Sequence, residues 1–200
     1  MFNIIFLVKS VGLFGIFAIV FAESGLLFGF FMPGDSLLFS TGLLASAGYL
    51  NLGFLIGGSI VAAILGDSVG YYFGHKIGRR IFFKEDSFFF NKKYIDQTKA
   101  FYERHGRKTI ILARFIPIVR TFAPILAGVG KMEYRIFLKW NIIGGFLWPI
   151  VIILAGYFLG NAIPNIDQFI LPIALGIIFV SFIPFAFEIV RNKFLKRNKV

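Results

Sequence analysis

The 200-residue sequence predicts an all-α integral membrane fold: transmembrane helices plus two opposing re-entrant helical hairpins in an inverted repeat. Three observations predict it. The chain is 58% hydrophobic and 16% charged, with a mean hydropathy of +0.81, whereas a soluble domain carries about 25% charged residues. Its basic residues gather in three blocks. Two of its apolar stretches are broken by proline and charge where a spanning helix should run on, the first of them as FFMPGDSLLF at 30–39. The length suits a single domain.

Residues 1–21 form the expected N-terminal helix, apolar over 4–21 except for Lys9. The opening MFNIIFLVKS has neither a basic n-region nor a small-residue cleavage site, so no cleaved signal peptide is expected. Residues 22–74 hold the first hairpin and a transmembrane helix. Pro33-Gly34 would bend the hairpin, because a helix from Ala22 to Met32 rises about 15 Å, half the hydrocarbon core. Residues 52–74 are long enough to cross. The loop 75–108 has ten Lys/Arg and four acids. Within it Tyr94, Thr98, Phe101 and Tyr102 recur at helical spacing opposite Lys99 and Arg104, the pattern of a surface amphipathic helix. Residues 109–160 repeat the plan, with Pro117 and Pro124 as helix breakers and 140–160 as the span. A last span at 168–190, within the segment 161–190, precedes the basic tail 191–200.

Charge fixes the expected topology. Residues 75–108, 131–139 and the tail are basic, whereas 21–75 and 140–190 contain no Lys/Arg. The positive-inside rule places the basic blocks in the cytoplasm, where they also contact anionic lipid. The stretch 109–130 is flanked by cytoplasmic charge on both sides, so it should enter and leave on one side. The stretch 26–46 should dip from the other face. Broken backbone at that depth needs cover from protein or a water-filled cavity; the alternative is an ordinary helix kinked at proline.

The halves resemble each other. GYYFG at 70–74 matches GYFLG at 156–160 at an offset of 86, shared by Gly58 and Gly144, and FMPG (31–34) matches FIPI (115–118) at 84. Inverted repeats with interrupted helices mark transporters, and the interruptions point to the binding site. With 28 phenylalanines in the chain, coincidence is the competing explanation.

Five ionisable residues fall inside the apolar stretches of the core: Glu23, Asp35, Asp67, Arg114 and Arg120. Each costs about 2.5–3.5 kcal/mol at a helix centre on insertion scales, so a partner and a function are the default reading. The bland alternative is mutual neutralisation that locks the halves together. Glu23 opens the first hairpin and Asp35 follows its bend; Arg114 and Arg120 flank Pro117. Facing hairpins would join two acids to two guanidinium groups, whose planar donors suit phosphate. Carboxylates in low dielectric can carry protons near neutral pH. Asp67 is either a third proton site or a hydrogen-bonded structural aspartate. Ser36, Thr41 and Thr121 either donate to a phosphate or join helices, and glycines 57, 58, 66, 70 and 74 permit close packing. Trp140 and Trp148 suit interface or packing as well as ligand contact. Gly34, Pro33, Pro117 and Pro124 support the site by shaping the breaks.

Several functions are excluded or disfavoured. Without cysteine there is no thiolate nucleophile or cysteine metal site, and the two histidines, His75 and His105, both lie in the basic loop. Neither a phosphatase constellation nor metal-ligand spacing is present, so no enzyme, metal or cofactor is expected, and no nucleic-acid motif accompanies the basic runs.

Glu23 together with FMPGDSLLFSTG (31–42), GDSVGYYFGHKIGR (66–79), ARFIPIVRTFAPILAGVGKM (113–132) and WNIIGGFLW (140–148) resembles the DedA family, also called the VTT or SNARE-associated Golgi protein family. The resemblance covers roughly residues 20–160. It implies a multi-pass bacterial inner-membrane protein with paired re-entrant hairpins, in a family where some members return undecaprenyl phosphate across the membrane and function is tied to the proton-motive force. The family's essential acids map onto Glu23 and Asp35 and its essential arginines onto Arg114 and Arg120.

The leading expectation is a proton-dependent translocase whose partners are an anionic lipid (polyprenyl phosphate or phospholipid), protons and the membrane, with Arg114 and Arg120 on the headgroup and Glu23, Asp35 and Asp67 handling protons. A proton-coupled transporter of a small solute or ion is the alternative, and a lipid phosphatase a distant third. Lipid identity, direction and any homo-oligomer stay open.

Overall fold

The computed structural model describes residues 4–26, 34–78, 110–111 and 114–162. Pro33, the expected amphipathic helix near 94–104, the last span at 168–190 and the basic tail lie outside the described residues. Every element among the described residues is helical. In chain order they are α1 (Ile4–Gly25), α2 (Gly34–Ser46), α3 (Leu52–Phe73) continued by a π-helical turn (Gly74–Gly78), α4 (Pro117–Val129) and α5 (Tyr134–Ala162).

Local chemistry sets the boundaries. Asn51 caps α3, its side-chain oxygen accepting from the Phe54 N–H at 2.9 Å, which satisfies one of the orphan donors of a helix start. Ile116 is extended (φ −113°, ψ 109°) before Pro117, as a residue preceding proline must be, and Pro117 opens α4 where its missing N–H costs nothing. Helices α2 and α4 are each 13 residues long and stop alike. Tyr49 N–H donates to Leu44 O and Gly48 N–H to Ala45 O; Met132 N–H donates to Ala127 O and Lys131 N–H to Gly128 O. Gly48 (φ 75°) and Lys131 (φ 56°) supply the left-handed residue of this Schellman ending.

Length separates two kinds of helix. The 22 residues of α1 and of α3 and the 29 of α5 rise about 33 and 43 Å, enough to cross a core of about 30 Å. Helices α2 and α4 rise about 20 Å and fall short of it. Residues Leu52–Lys76 and Tyr134–Ala162 are the two spans among the described residues that are long and apolar enough throughout to cross.

Three expectations are corrected in detail. α1 runs through the anticipated end at 21 to Gly25, so Glu23 closes α1 rather than opening a hairpin. α5 begins at Tyr134, not 140, because Arg135 is exposed on the helix surface, as is Lys139, and long basic side chains can reach the interface from inside an apolar helix. Pro124 lies within α4 and does not break it. Its missing N–H leaves the Arg120 carbonyl free, and the buried face of α4 is held by α3 beside Gly70.

α2 lies along α5, α1 along α3, and α4 along the end of α3 and its π-helical turn. Glycine makes two of these pairings possible. A β-carbon at Gly42 would meet the backbone of Ile153 and Tyr157, and one at Gly156 the backbone of Phe39, so α2 and α5 touch main chain to main chain. Gly128 of α4 likewise sits on the backbone of Tyr71 and His75. Close approach through small residues is how helices associate where lipid offers no hydrophobic drive. Leu13, Val20, Leu38, Leu55, Trp148 and Ile153 draw α1, α2, α3 and α5 into one core. Outside it Phe54, Val61, Leu65, Phe146, Val151 and Phe158 are exposed on α3 and α5, a surface that suits acyl chains.

Candidate functional site: two buried arginines and their partners

All five anticipated charges are described, and they form two clusters. The first gathers around Arg120, in the first turn of α4. Its guanidinium is ion-paired to Glu23, near the end of α1, and donates from Nη1 to Asp35 Oδ1 in the first turn of α2 at 2.8 Å. Trp148 completes the group: its Nε1–H donates to the same Asp35 oxygen at 2.7 Å, and its ring lies 4.3 Å beneath the Arg120 Cζ. Such a cation–π contact strengthens when desolvated. Trp148 is midway along the 29 residues of α5, about 21 Å from either end.

Helix ends converge here, and their dipoles explain the charges. The negative end of α1 faces Arg120, and the positive start of α2 faces Glu23 and Asp35, both favourable. The start of α4 opposes its own Arg120, a cost that the two carboxylates offset. Gly34 is required by contact: a β-carbon there would fall on the Glu23 carboxylate. The Arg120 and Glu23 side chains are 2% and 3% exposed, while that of Asp35 is 40% exposed. One member of the cluster therefore opens to the outside and the others are sealed.

The second cluster surrounds Arg114, in the turn before α4. Arg114 Nη2 donates to Asp67 of α3 and to the Asn141 side-chain oxygen of α5. Asn141 in turn donates to the Ile64 carbonyl at 3.1 Å, and Ser68 and Tyr134 lie alongside, linked at 3.4 Å. Gly144 and Gly145 leave room for the arginine on α5. Arg114 and Asp67 side chains are each 2% exposed. Asn141, Gly144, Gly145 and Trp148 share one face of α5, which receives both arginines about 10 Å apart along the helix.

The chain can now be compared with known proteins. The VTT domain family matches residues 16–158. The chain belongs to the DedA family of VTT-domain membrane proteins. It is 47% identical over 180 residues to Protein DedA of Escherichia coli K12, covering 89% of this chain and 82% of that protein. An uncharacterised membrane protein of Mycobacterium leprae is 49% identical over 166 residues, 83% of this chain and 74% of the relative. The inner membrane protein YghB of E. coli K12 is 35% identical over 177 residues, 84% and 80%. No solved structure matches the chain. A membrane protein is thus what the DedA family membership, the composition and the two long spans agree on.

Within this DedA-family chain the expected meeting of two acids with two arginines is realised at Arg120 alone. Arg114 takes Asp67 and Asn141 as its direct partners instead. Asp67 is buried and ion-paired to Arg114, a geometry compatible with both of its anticipated roles. Thr41 donates to the Leu38 carbonyl of its own helix at 2.8 Å, whereas Ser36 flanks Asp35 and the buried Thr121 flanks Arg120. Pro117 and Gly34 stand at helix starts beside the cluster; Pro33 is outside the described residues. Sequence reasoning missed Asn141 and left Trp148 undecided. The available signal was their spacing with Gly144 and Gly145, a polar and small-residue stripe on an otherwise apolar helix. No group of three metal-ligating side chains occurs among the described residues.

Proposed function

We propose that this protein is a transporter that moves the headgroup of an anionic lipid, undecaprenyl phosphate or a close relative, across the bacterial inner membrane with the help of protons. One observation carries the reading: a sealed guanidinium, Arg120, held mid-way along a spanning helix between two carboxylates, one of which is half-open to the outside. Arginine cannot deprotonate and presents a fork that fits phosphate. Its carboxylate partners are the groups a proton could neutralise to release it.

The short helices support the transport reading. We read α2 and α4 as the inner arms of two re-entrant hairpins, dipping from opposite faces to meet at Arg120 and Asp35. Packing supports the repeat: Gly42 and Gly128 are 86 residues apart, as are Tyr71 and Tyr157, and each glycine sits on the backbone of one of those tyrosines. The first half lends its short helix to the long helix of the second, and the second returns the arrangement. The basic blocks at 75–108, 131–139 and 191–200 are assigned to the cytoplasm.

Transport alone, with no covalent step, is the reading. His75 stacks on Tyr71 at 6.0 Å on the π-helical turn and serves neither arginine cluster. The test is reconstitution with a labelled polyprenyl phosphate in one leaflet. Arg120→Ala should abolish transfer while the protein still inserts, and Arg120→Lys should impair it strongly. An unchanged rate in Arg120→Ala sinks the proposal. Uptake of a soluble solute driven by pH, without lipid transfer, would favour the small-solute alternative.

A further inference from the structure

We infer that Glu23 is a built-in occupant of the anion site: its carboxylate lies where a phosphate monoester would bind, between Arg120 and the first turn of α2, and must yield before that ligand enters. The ligand class rests on the transport reading above; the occupancy rests on geometry.

The helix start alone would not make a site, but Glu23 marks it as one. Its Oε1 is taken by Arg120, while Oε2 is buried and pressed against Gly34, whose backbone N–H faces the carboxylate. A sealed anionic oxygen thus lies against Gly34 at the start of α2, where backbone donors and dipole favour anions. Arg120 Nε is buried with no partner among the described residues. A carboxylate has two oxygens for this set of donors. A phosphate monoester has three, and can engage Nη2, Nε and the start of α2 together. Gly34, with no β-carbon, lets either anion approach the backbone.

The two carboxylates then differ in role. Asp35 is held by two donors on one oxygen, from Arg120 and Trp148, and forms the wall at the open side. Glu23, two residues from the end of α1, is the group that gives way. Protonation removes its charge and frees Arg120 for the incoming anion, so ligand entry and proton uptake compete for one position. Arg114 is committed to Asp67 and Asn141 and takes no part.

Full-length protein in detergent, carrying Trp140→Phe, leaves Trp148 as the sole tryptophan, next to Arg120, and its emission reports binding. Inorganic phosphate and geranyl phosphate are titrated against this parent and against Glu23→Gln and Glu23→Ala. If the glutamate fills the site nine-tenths of the time, removing its charge tightens the apparent Kd about tenfold. That gain should be largest at about pH 8.5 and narrow as the pH falls, since the ligand's own ionisation near pH 6 is common to all the proteins and cancels in their ratio. Adding Arg120→Ala to Glu23→Gln should remove the binding. Glu23 variants that bind no more tightly than the parent at any pH overturn the inference. Equal binding of both probes identifies free phosphate as the ligand, and preference for geranyl phosphate a lipid headgroup; either outcome keeps the site. Tighter binding in a protein that moves no lipid would leave the site and remove the translocation reading; lipid transfer with no gain in the Glu23 variants would do the reverse.

Discussion

At the scale of single residues, Gly34 and Glu23 show how contact decides identity. Any side chain at 34 must displace the carboxylate beside it. Gly34→Ala should cost about 1–3 kcal/mol as an overpacked core position, and most of that cost should vanish in a Glu23→Ala background, which thermal unfolding of the four proteins in detergent would measure. Additive losses would mean that the carboxylate is not what fills the space. Trp148→Phe keeps a ring under Arg120 but removes the N–H donor to Asp35. It should lose about 1.5–3 kcal/mol, the worth of a hydrogen bond to a charged group, and lose little once Asp35→Ala, which removes the acceptor, is also present. The five charges of the two clusters were legible in the sequence because a charge in an apolar stretch is costly wherever its partner lies. Their pairing was not legible. Arg114 and Arg120 are six residues apart but straddle the start of α4, one in a turn and the other in the first helical turn, and so address different neighbours. Spacing in sequence carries no such information across a helix boundary.

Among the helices, hydrophobic length predicted α1, α3 and α5 well, and helix breakers predicted where α2 and α4 start. Boundaries failed where one signal was allowed to stand for another. Basic residues at 135 and 139 predict an end to the membrane segment, yet α5 includes them, because the backbone continues while the side chains reach outward. Pro124 alone predicts a break, yet α4 continues through it against Gly70 of α3, so tertiary contact outweighs the lost hydrogen bond. The glycines were read as packing residues, and their positions now separate into two kinds. Gly156 faces the Phe39 carbonyl and the Leu43 N–H of α2, whereas a β-carbon at Gly57 meets nothing within 4 Å. Gly156→Ala should therefore push α2 off α5 and lower the unfolding temperature, with a loss of about 1–3 kcal/mol. Gly57→Ala should be neutral or stabilise by up to about 1 kcal/mol, the helix-propensity gain. Equal effects at the two positions would show that glycine serves flexibility here and not contact.

At the scale of the molecule, the backbone-to-backbone contacts among the described residues fall into two groups, here called bodies, which share one side-chain core. α2 and α5 approach backbone to backbone through Gly42 and Gly156; α1, α3 and α4 do so through Gly25, Gly66, Gly74 and Gly128. Each buried arginine holds an acid of its own body, Glu23 for Arg120 and Asp67 for Arg114, and reaches across to the other body, to Asp35 and to Asn141. Backbone contacts are stiff, because no side chain can rearrange to relieve them. Charged hydrogen bonds can be exchanged for bonds to a ligand or water at smaller net cost. On the transport reading proposed above, the cycle should therefore shear the bodies along the arginine seam and leave each one intact. The absence of cysteine from the chain makes this testable without background thiols. A Ser46→Cys/Gly160→Cys pair joins α2 to α5 within one body, with β-carbons 2.9 Å apart before relaxation, so that a small outward shift brings them to the roughly 3.5–4.5 Å a disulfide adopts. Ile64→Cys with Gly145→Cys joins α3 to α5 across the seam, where the Ile64 side chain packs on Gly145. Oxidation should leave lipid transfer by the first protein near its reduced rate and arrest the second, with reductant restoring it. Arrest of the first would place the motion inside the α2–α5 pair. Free transfer by the oxidised second protein would mean that the bodies do not part, and that Arg120 is reached by side-chain movement alone.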